Sequence, residues 1–257
     1  MKRISVLALF LLLFATVMQS ADKQKCIILN SPLINKKILP SVESTLKNFG
    51  ISVETYTVSA SNINQMADSL MRVYSNKKVG ILGLGVPGGI AAAKIVSGMS
   101  DPSYLVLISA LGVSGEKYHD RLLMSSFYVI DGDGKNLLQL RPMIDSLISG
   151  QSTSSDDILQ YKPEDILPSV KCPVFALSGV NDSSIDWFEN LSNMHKLIPT
   201  ASESVFKAYP ETGYMLQSIE KYMPILLIGS YCEEALPEAN KEAIQDICSW
   251  IANLKKE

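Results

Sequence analysis

Four glycines fall within seven residues, at Gly83, Gly85, Gly88 and Gly89. They follow an apolar run with Val79, Ile81 and Leu82 and precede the small-residue run Ile90-Ala91-Ala92-Ala93. Such a stretch, KVGILGLGVPGGIAAAKI, reads as strand, tight turn and helix. A turn of this kind needs positive φ and a close backbone approach, which glycine supplies at least cost. In α/β proteins it carries either a phosphate-cradling loop or a strained nucleophile. The question for the whole chain is which of these it holds.

The flanking sequence supplies the rest of an α/β pattern. Cys26-Ile27-Ile28-Leu29-Asn30 is a short apolar strand, and Leu39, Val42, Leu46 and Phe49 line a first amphipathic helix stopped by Gly50. Ile51 to Val58 alternates as a second strand. Asn62, with Gln65 three positions on, is suited to cap a helix with Ile63, Met66, Leu70 and Val73 on its apolar side. Further strands are expected at Tyr104–Ala110, Lys171–Ser178 and Glu203–Tyr209, with helices over Trp187, Leu191, Met194 and Ile198 and over Ile244, Ile247, Ile251 and Leu254. Strand and helix alternate, which predicts a doubly wound, mostly parallel sheet. About sixty residues, Leu111 to Val170, separate two of the strands; so long an excursion predicts a helical cap over the strand ends, with Leu140, Met143, Ile144 and Leu147 on one face. Within it, Asp131-Gly132-Asp133-Gly134 looks like the start of a calcium loop, but Leu140 falls where the bidentate Glu belongs, so it reads as a polar turn.

Met1-Lys2-Arg3 and the apolar run Ile4 to Val17 have the charged head and short hydrophobic body of a secretory signal, over residues 1–21. The run is too short for a membrane span, which needs about 20 residues. The expectation is an exported protein, secreted or periplasmic, with one domain over 22–257, a cap at about 112–170, and no membrane span after signal removal. Without Lys2 and Arg3 the chain has 21 basic and 26 acidic residues, a net of −5, so no nucleic-acid surface is expected. Cys26, Cys172, Cys232 and Cys248 have neither metal-like spacing nor the density of a disulfide framework. They read as buried thiols, a Cys232–Cys248 bridge being the other possibility. No cofactor or metal is implied.

Three readings of the glycine turn follow. A P-loop needs Lys and Ser/Thr after the last glycine, where Ile90 and Ala91 stand. Gly83-Leu84-Gly85-Val86-Pro87-Gly88 matches the dinucleotide pattern in letters, but two strands precede it and Ser109 and Ala110 occupy the place of the acidic residue that should follow. The third reading is a nucleophile elbow. VGILGLGVPGGIAAA resembles the strand and GHSxGG turn of secreted α/β-hydrolases of the bacterial serine-aminopeptidase and dienelactone-hydrolase-like group. The resemblance continues through Val106–Ala110 and Gly112–Glu116, through Lys171–Val174 leading to Ser178-Gly179-Val180-Asn181-Asp182, and through Tyr209–Gln217, where the family has its histidine loop. It covers nearly all of the chain after the export segment and implies the α/β-hydrolase fold with a helical cap.

The resemblance places the nucleophile on Gly85, or on Val86 if the double glycine is aligned instead, the histidine on Tyr214 and the acid on Asp182. Neither Gly85 nor Val86 has a side-chain oxygen, and a phenol is a poor base at neutral pH. The loop Asn30-Ser31-Pro32-Leu33, where relatives supply an oxyanion N–H, has no glycine and lacks an N–H at Pro32. His119 and His195 fall in helical patterns rather than strand-end loops. Ser109 and Ser114 lie near the expected pocket without a base, and serines there serve as turn residues and helix caps. Asp182 has two readings, a remnant acid or the N-cap of the following helix. The expectation is an exported pseudo-hydrolase binding a small ligand or a protein partner. The alternatives are an active acyl or peptide hydrolase with a non-standard nucleophile, and a nucleotide-binding α/β protein.

Overall fold

The computed structural model describes residues 24–32, 36–131, 156–219 and 237–254. The export segment, the Leu140–Leu147 face, most of the Asp131–Gly134 turn, and Cys232 lie outside them. Strands β1 (Lys25–Asn30), β2 (Ser52–Thr57), β3 (Gly80–Leu84), β4 (Tyr104–Ile108), β5 (Val174–Gly179) and β6 (Val205–Tyr209) form one sheet in the order β2-β1-β3-β4-β5-β6. Every neighbouring pair is parallel. All six expected strands are present, β5 and β6 starting two or three residues later than the apolar runs suggest.

Helices α1 (Ile38–Asn48), α2 (Ile63–Tyr74), α3 (Gly85–Gly98), α4 (Gly115–Asp131), α5 (Asp156–Leu159), α6 (Pro163–Ile166), α7 (Trp187–Leu197) and α8 (Lys241–Asn253) connect and cover the strands. The sheet is buried because helices cover it, and β3, β4 and β5 are buried at every position. Continuous runs such as YLVLI therefore lie in the middle of the sheet and the half-exposed SVETYT at its edge. Helix α3 is buried along nearly its whole length, which suits its alanines and glycines, while α8 buries only Ala243, Ile244, Ile247, Cys248 and Ile251. Trp250 packs edge-on against Tyr104 and Phe175, at 6.1 and 5.4 Å between ring centres, tying α8 to the sheet.

Three local expectations need correction. Asn62 precedes α2 but makes no side-chain cap; its Oδ1 accepts from the Ser59 N–H at 2.9 Å, closing the turn before the helix. Phe49 and Val73 are 43% and 50% exposed, so the apolar faces of α1 and α2 are narrower than the periodicity suggests. Asp182 does not cap α7. Asp186 does, accepting from the N–H groups of Phe188 and Glu189 at 3.1 and 3.2 Å. Cys26, Cys172 and Cys248 are buried free thiols, and burial pushes Cys26 and Cys172 up to about 12, so neither is a nucleophile at neutral pH.

Candidate functional site at the glycine turn

The chain leaves β1 toward β2 on one side and continues from β3 toward β4 on the other. The carboxyl ends of β1 and β3 thus form the switch point at which open α/β sheets bind ligands. Gly85 sits there as the first residue of α3, with φ +78°. The other glycines let α3 approach the sheet. A Cβ on Gly88 would lie 2.2 Å from the Leu29 carbonyl oxygen, and one on Gly89 would lie 2.3 Å from Ala110 Cβ.

The crevice above Gly85 is filled by the segment after β6. The Val86 N–H donates to the Tyr214 hydroxyl oxygen at 3.2 Å. A Cβ on Gly85 would stand 2.9 Å from that hydroxyl, 2.8 Å from Met215 Sδ and 3.1 Å from Ser31 Cβ. The turn that delivers these side chains, Tyr214–Leu216, is left-handed at Met215 and Leu216, φ 52° and 65°. It is held by the Met215 N–H donating to Ser109 Oγ at 2.9 Å, and Ser109 is itself left-handed at φ 50°. Non-glycine residues in that region cost about 1 to 3 kcal/mol each and persist only where surrounding contacts hold them. Burial raises the Tyr214 phenol well above its ordinary range, with the Asp182 charge adding and the Val86 N–H opposing. It is a neutral hydroxyl, unable to act as a base.

Asp182 follows β5 and is 2% exposed. Its Oδ1 accepts from the Ser184 N–H at 2.8 Å and the Ser184 hydroxyl at 2.6 Å. Its Oδ2 is buried and has no hydrogen-bond partner among the described residues. Burial pushes this carboxyl up to about 6, against the Ser184 bonds, the Ile185 amide and the Arg121 charge, all of which favour ionisation. Tyr118, at the start of α4, completes the group. Burial raises its phenol, and Tyr214 and Asp182 raise it further.

The structure therefore brings Gly85, Val86 and Tyr214 into contact and sets Asp182 within electrostatic reach of Tyr214. Among the described residues neither histidine is a hydrogen-bond partner of these groups. His119 is half-buried on α4, and His195 stands edge-on to Phe206 at 5.0 Å. Ser114 accepts from the Lys117 N–H at 3.3 Å as a cap of α4. Three contributors gave no sequence signal: Tyr118 inside a polar run, Met215, and fully buried Asn190. Asn190 accepts from Gly112 N–H at 2.6 Å and donates to Ala110 O at 2.9 Å, fixing the loop after β4.

Two surface clefts lie away from the glycine turn. One of about 290 Å³ is lined by Ser114, Lys117, Glu164, Asn193 and Lys196, and one of about 380 Å³ by Trp187, Phe188, His195 and Phe206. Among the described residues no group of three or more His, Cys, Asp or Glu could hold a metal ion, and no helix is long and apolar enough to cross a membrane.

No protein-family model matches the chain, and no curated protein does. Solved structures are similar to it. VinJ is 10% identical, with 93% of each chain covered and a TM-score of 0.61. An esterase from Exiguobacterium antarcticum is 14% identical over 89% of this chain and 91% of its own, at 0.55. The enol-lactonase from Burkholderia xenovorans LB400 is 12% identical over 90% and 92%, also at 0.55. The six-stranded parallel sheet with flanking helices is the α/β-hydrolase fold.

Proposed function

We propose that this chain is an exported α/β-hydrolase-fold protein that has lost hydrolysis and serves as a binding protein for a small ligand or a protein partner. The observation that carries this reading is the Tyr214 hydroxyl on the Val86 N–H. In an acyl hydrolase the amide after the nucleophile receives the developing oxyanion. Here a neutral phenol of the same chain takes that donor, and the position before it has no side-chain oxygen, and a Cβ there would stand 2.9 Å from that phenol. An acid alone cannot run acyl transfer, because the nucleophile and the base it serves act as a unit. Function belongs to the site rather than to the fold, and esterase-like neighbours do not restore the chemistry. Export rests on the sequence of residues 1–21, and the single domain with its cap on the excursion between β4 and β5.

Purified protein is expected to show no turnover of small aryl esters or aminoacyl anilides above buffer, and no labelling by a fluorophosphonate probe. Stoichiometric labelling of one serine, mapped by mass spectrometry, would overturn the reading. Ser109 is the residue to watch. It is buried at the end of β4 with a left-handed backbone, and such strain gathers at functional sites. Its Oγ, however, is engaged by the Met215 N–H, and His195 packs against Phe206. The nucleotide alternative fares worse, since Tyr214 and Met215 fill the first turn of α3, where a pyrophosphate would rest. A thermal-shift screen with NAD, FAD and ATP at millimolar concentration is expected to show no stabilisation.

A further inference from the structure

Helix α7 buries Asn190, Leu191 and Met194 against the core, and the stripe beside them turns toward β6, the outermost strand on that side of the sheet. There His195 stands edge-on to Phe206 at 5.0 Å. Side chains alternate along β6. Lys207 and Tyr209 reach Asp246 of α8 on one face, while Phe206 and Ala208 face α7 on the other. Between α7 and these two residues lies the cleft of about 380 Å³. Phe188 and His195, which line it, are about two turns and 10 Å apart along the helix.

The rings in this lining form two edge-on pairs, Trp187 with Phe188 at 5.7 Å between centres and His195 with Phe206. Trp187 packs against the core and Leu191 is buried, but Phe188 is 67% exposed. A lone exposed apolar side chain needs no explanation; this one is continuous with apolar groups from a second element. The charge of the cleft is one-sided. Lys196 lines it and no Asp or Glu does. Among the described residues Lys196 makes no ion pair, whereas Lys25, Lys37, Lys47, Lys117 and Lys207 each do. The carboxylates at the start of α7 are engaged elsewhere, Asp186 by the amides of that helix and Arg121, Glu189 by Lys117. We propose that the cleft between α7 and β6 binds a small aromatic carboxylate, its rings against Phe188, Leu191 and Phe206 and its carboxylate on the Lys196 ammonium.

A flat two-ring body about 10 Å long spans the distance from Phe188 to His195 and presents its face to ring edges, an arrangement that aromatic groups favour. The volume falls within the range of small-molecule pockets, about 300 to 1,000 Å³. Lys196 is exposed, so its pair with a carboxylate is screened by water; it orients the ligand and adds a few-fold in affinity, while the apolar contacts supply most of the rest. A cationic ligand would meet the ammonium with no acid in the lining to offset it. The cleft gives the proposed small ligand a place and a chemical class, and rests on the binding-protein reading only in that the ligand is held rather than turned over. None of its lining residues belongs to the glycine turn. A serine labelled by fluorophosphonate would therefore overturn the loss of hydrolysis and leave the ligand of this cleft unchanged.

Isothermal titration calorimetry of the purified protein with 2-naphthoate, at about pH 8 where an ordinary imidazole is uncharged, tests the assignment. Binding at a single site with a Kd of about 0.1 mM is expected. 2-Naphthamide keeps the rings and drops the charge, and is expected to bind about fivefold more weakly; acetate, which keeps the charge and drops the rings, is expected not to bind. Lys196→Gln should bring 2-naphthoate to the affinity of the amide, and Phe188→Ala should weaken both by about tenfold. Both side chains are exposed, so neither substitution disturbs the core. Asn193→Ala in the other cleft and Phe49→Ala, an exposed ring after α1, are the controls and are expected to bind as the native chain does. A Kd for 2-naphthoate weaker than about 1 mM, equal affinity for the amide, an unchanged Kd in Phe188→Ala or Lys196→Gln, or a loss in Asn193→Ala as large as that in Phe188→Ala overturns the proposal.

Discussion

At Gly85 the buried N–H of the next residue, Val86, is taken by Tyr214 and the space a side chain would need is filled, whereas at Asp182 a buried carboxylate oxygen has no partner among the described residues. Both positions lie at the carboxyl edge of the same sheet, after β3 and after β5. The difference is one of satisfaction. The first corner has been rebuilt as packed interior, and substitutions there should act through volume. The second keeps a charged group in a setting that disfavours charge, and substitutions there should act through pH.

The sharpest way to break this contrast is at the packed corner. Gly88→Ala drives a Cβ to 2.2 Å from the Leu29 carbonyl, a backbone atom that cannot turn aside, and is expected to cost about 3 kcal/mol or more, read as loss of soluble protein or a much lower denaturation midpoint. The next effect belongs to the acid corner and has the opposite sign. The Asp182 carboxyl has a folded value raised to about 6, so its contribution to stability is fully present below about 3.8 and lost as pH rises through 6. Asp182→Asn is expected to raise stability at pH 8 by about 2 kcal/mol and to flatten the pH profile between 4 and 8 in urea titrations. A variant less stable than the native chain at pH 8 would place the missing partner of Oδ2 in contact with it.

Smaller effects sharpen the same comparison. Tyr214→Phe keeps the ring but leaves the Val86 N–H buried without an acceptor, an expected loss of about 1 to 2 kcal/mol that is independent of pH. Asp186→Ala tests an ordinary carboxylate near the unusual one. It removes the cap of α7, an expected loss of about 1 kcal/mol by thermal or urea denaturation at neutral pH.

The two corners were unequally legible in the sequence. The inner strands β1, β3, β4 and β5 could be read from apolar runs, because the buried strands of a parallel sheet are apolar at nearly every position, β2 could be read from its alternation, and the excursion between β4 and β5 from its length. The glycines announced the close approach of α3, which only their missing side chains permit. The occupant of the crevice was not legible. Tyr214 reaches Val86 because Met215 and Leu216 turn left-handed, a conformation that tertiary contacts impose on residues whose own preference is otherwise. Which residue caps α7 was not legible for a related reason. Several side chains between Asn181 and Asp186 are of capping type, and which one meets the helix depends on where the loop after β5 is drawn in by burial of Asp182. Tyr118 lies in a run of polar residues, and nothing in its neighbours marks it as packed against the core.

The missing side chain at Gly85 also bears on the direction in which such a site can evolve. A serine arising at position 85 would bring a Cβ 2.8 Å from Met215 Sδ and 2.9 Å from the Tyr214 hydroxyl, at a backbone angle of φ +78° that suits glycine. Met215 can swing aside, but the Tyr214 ring is buried and bonded to the next amide along. A nucleophile at this position is therefore a late substitution on any mutational path, one that selection can retain only after position 214 has changed.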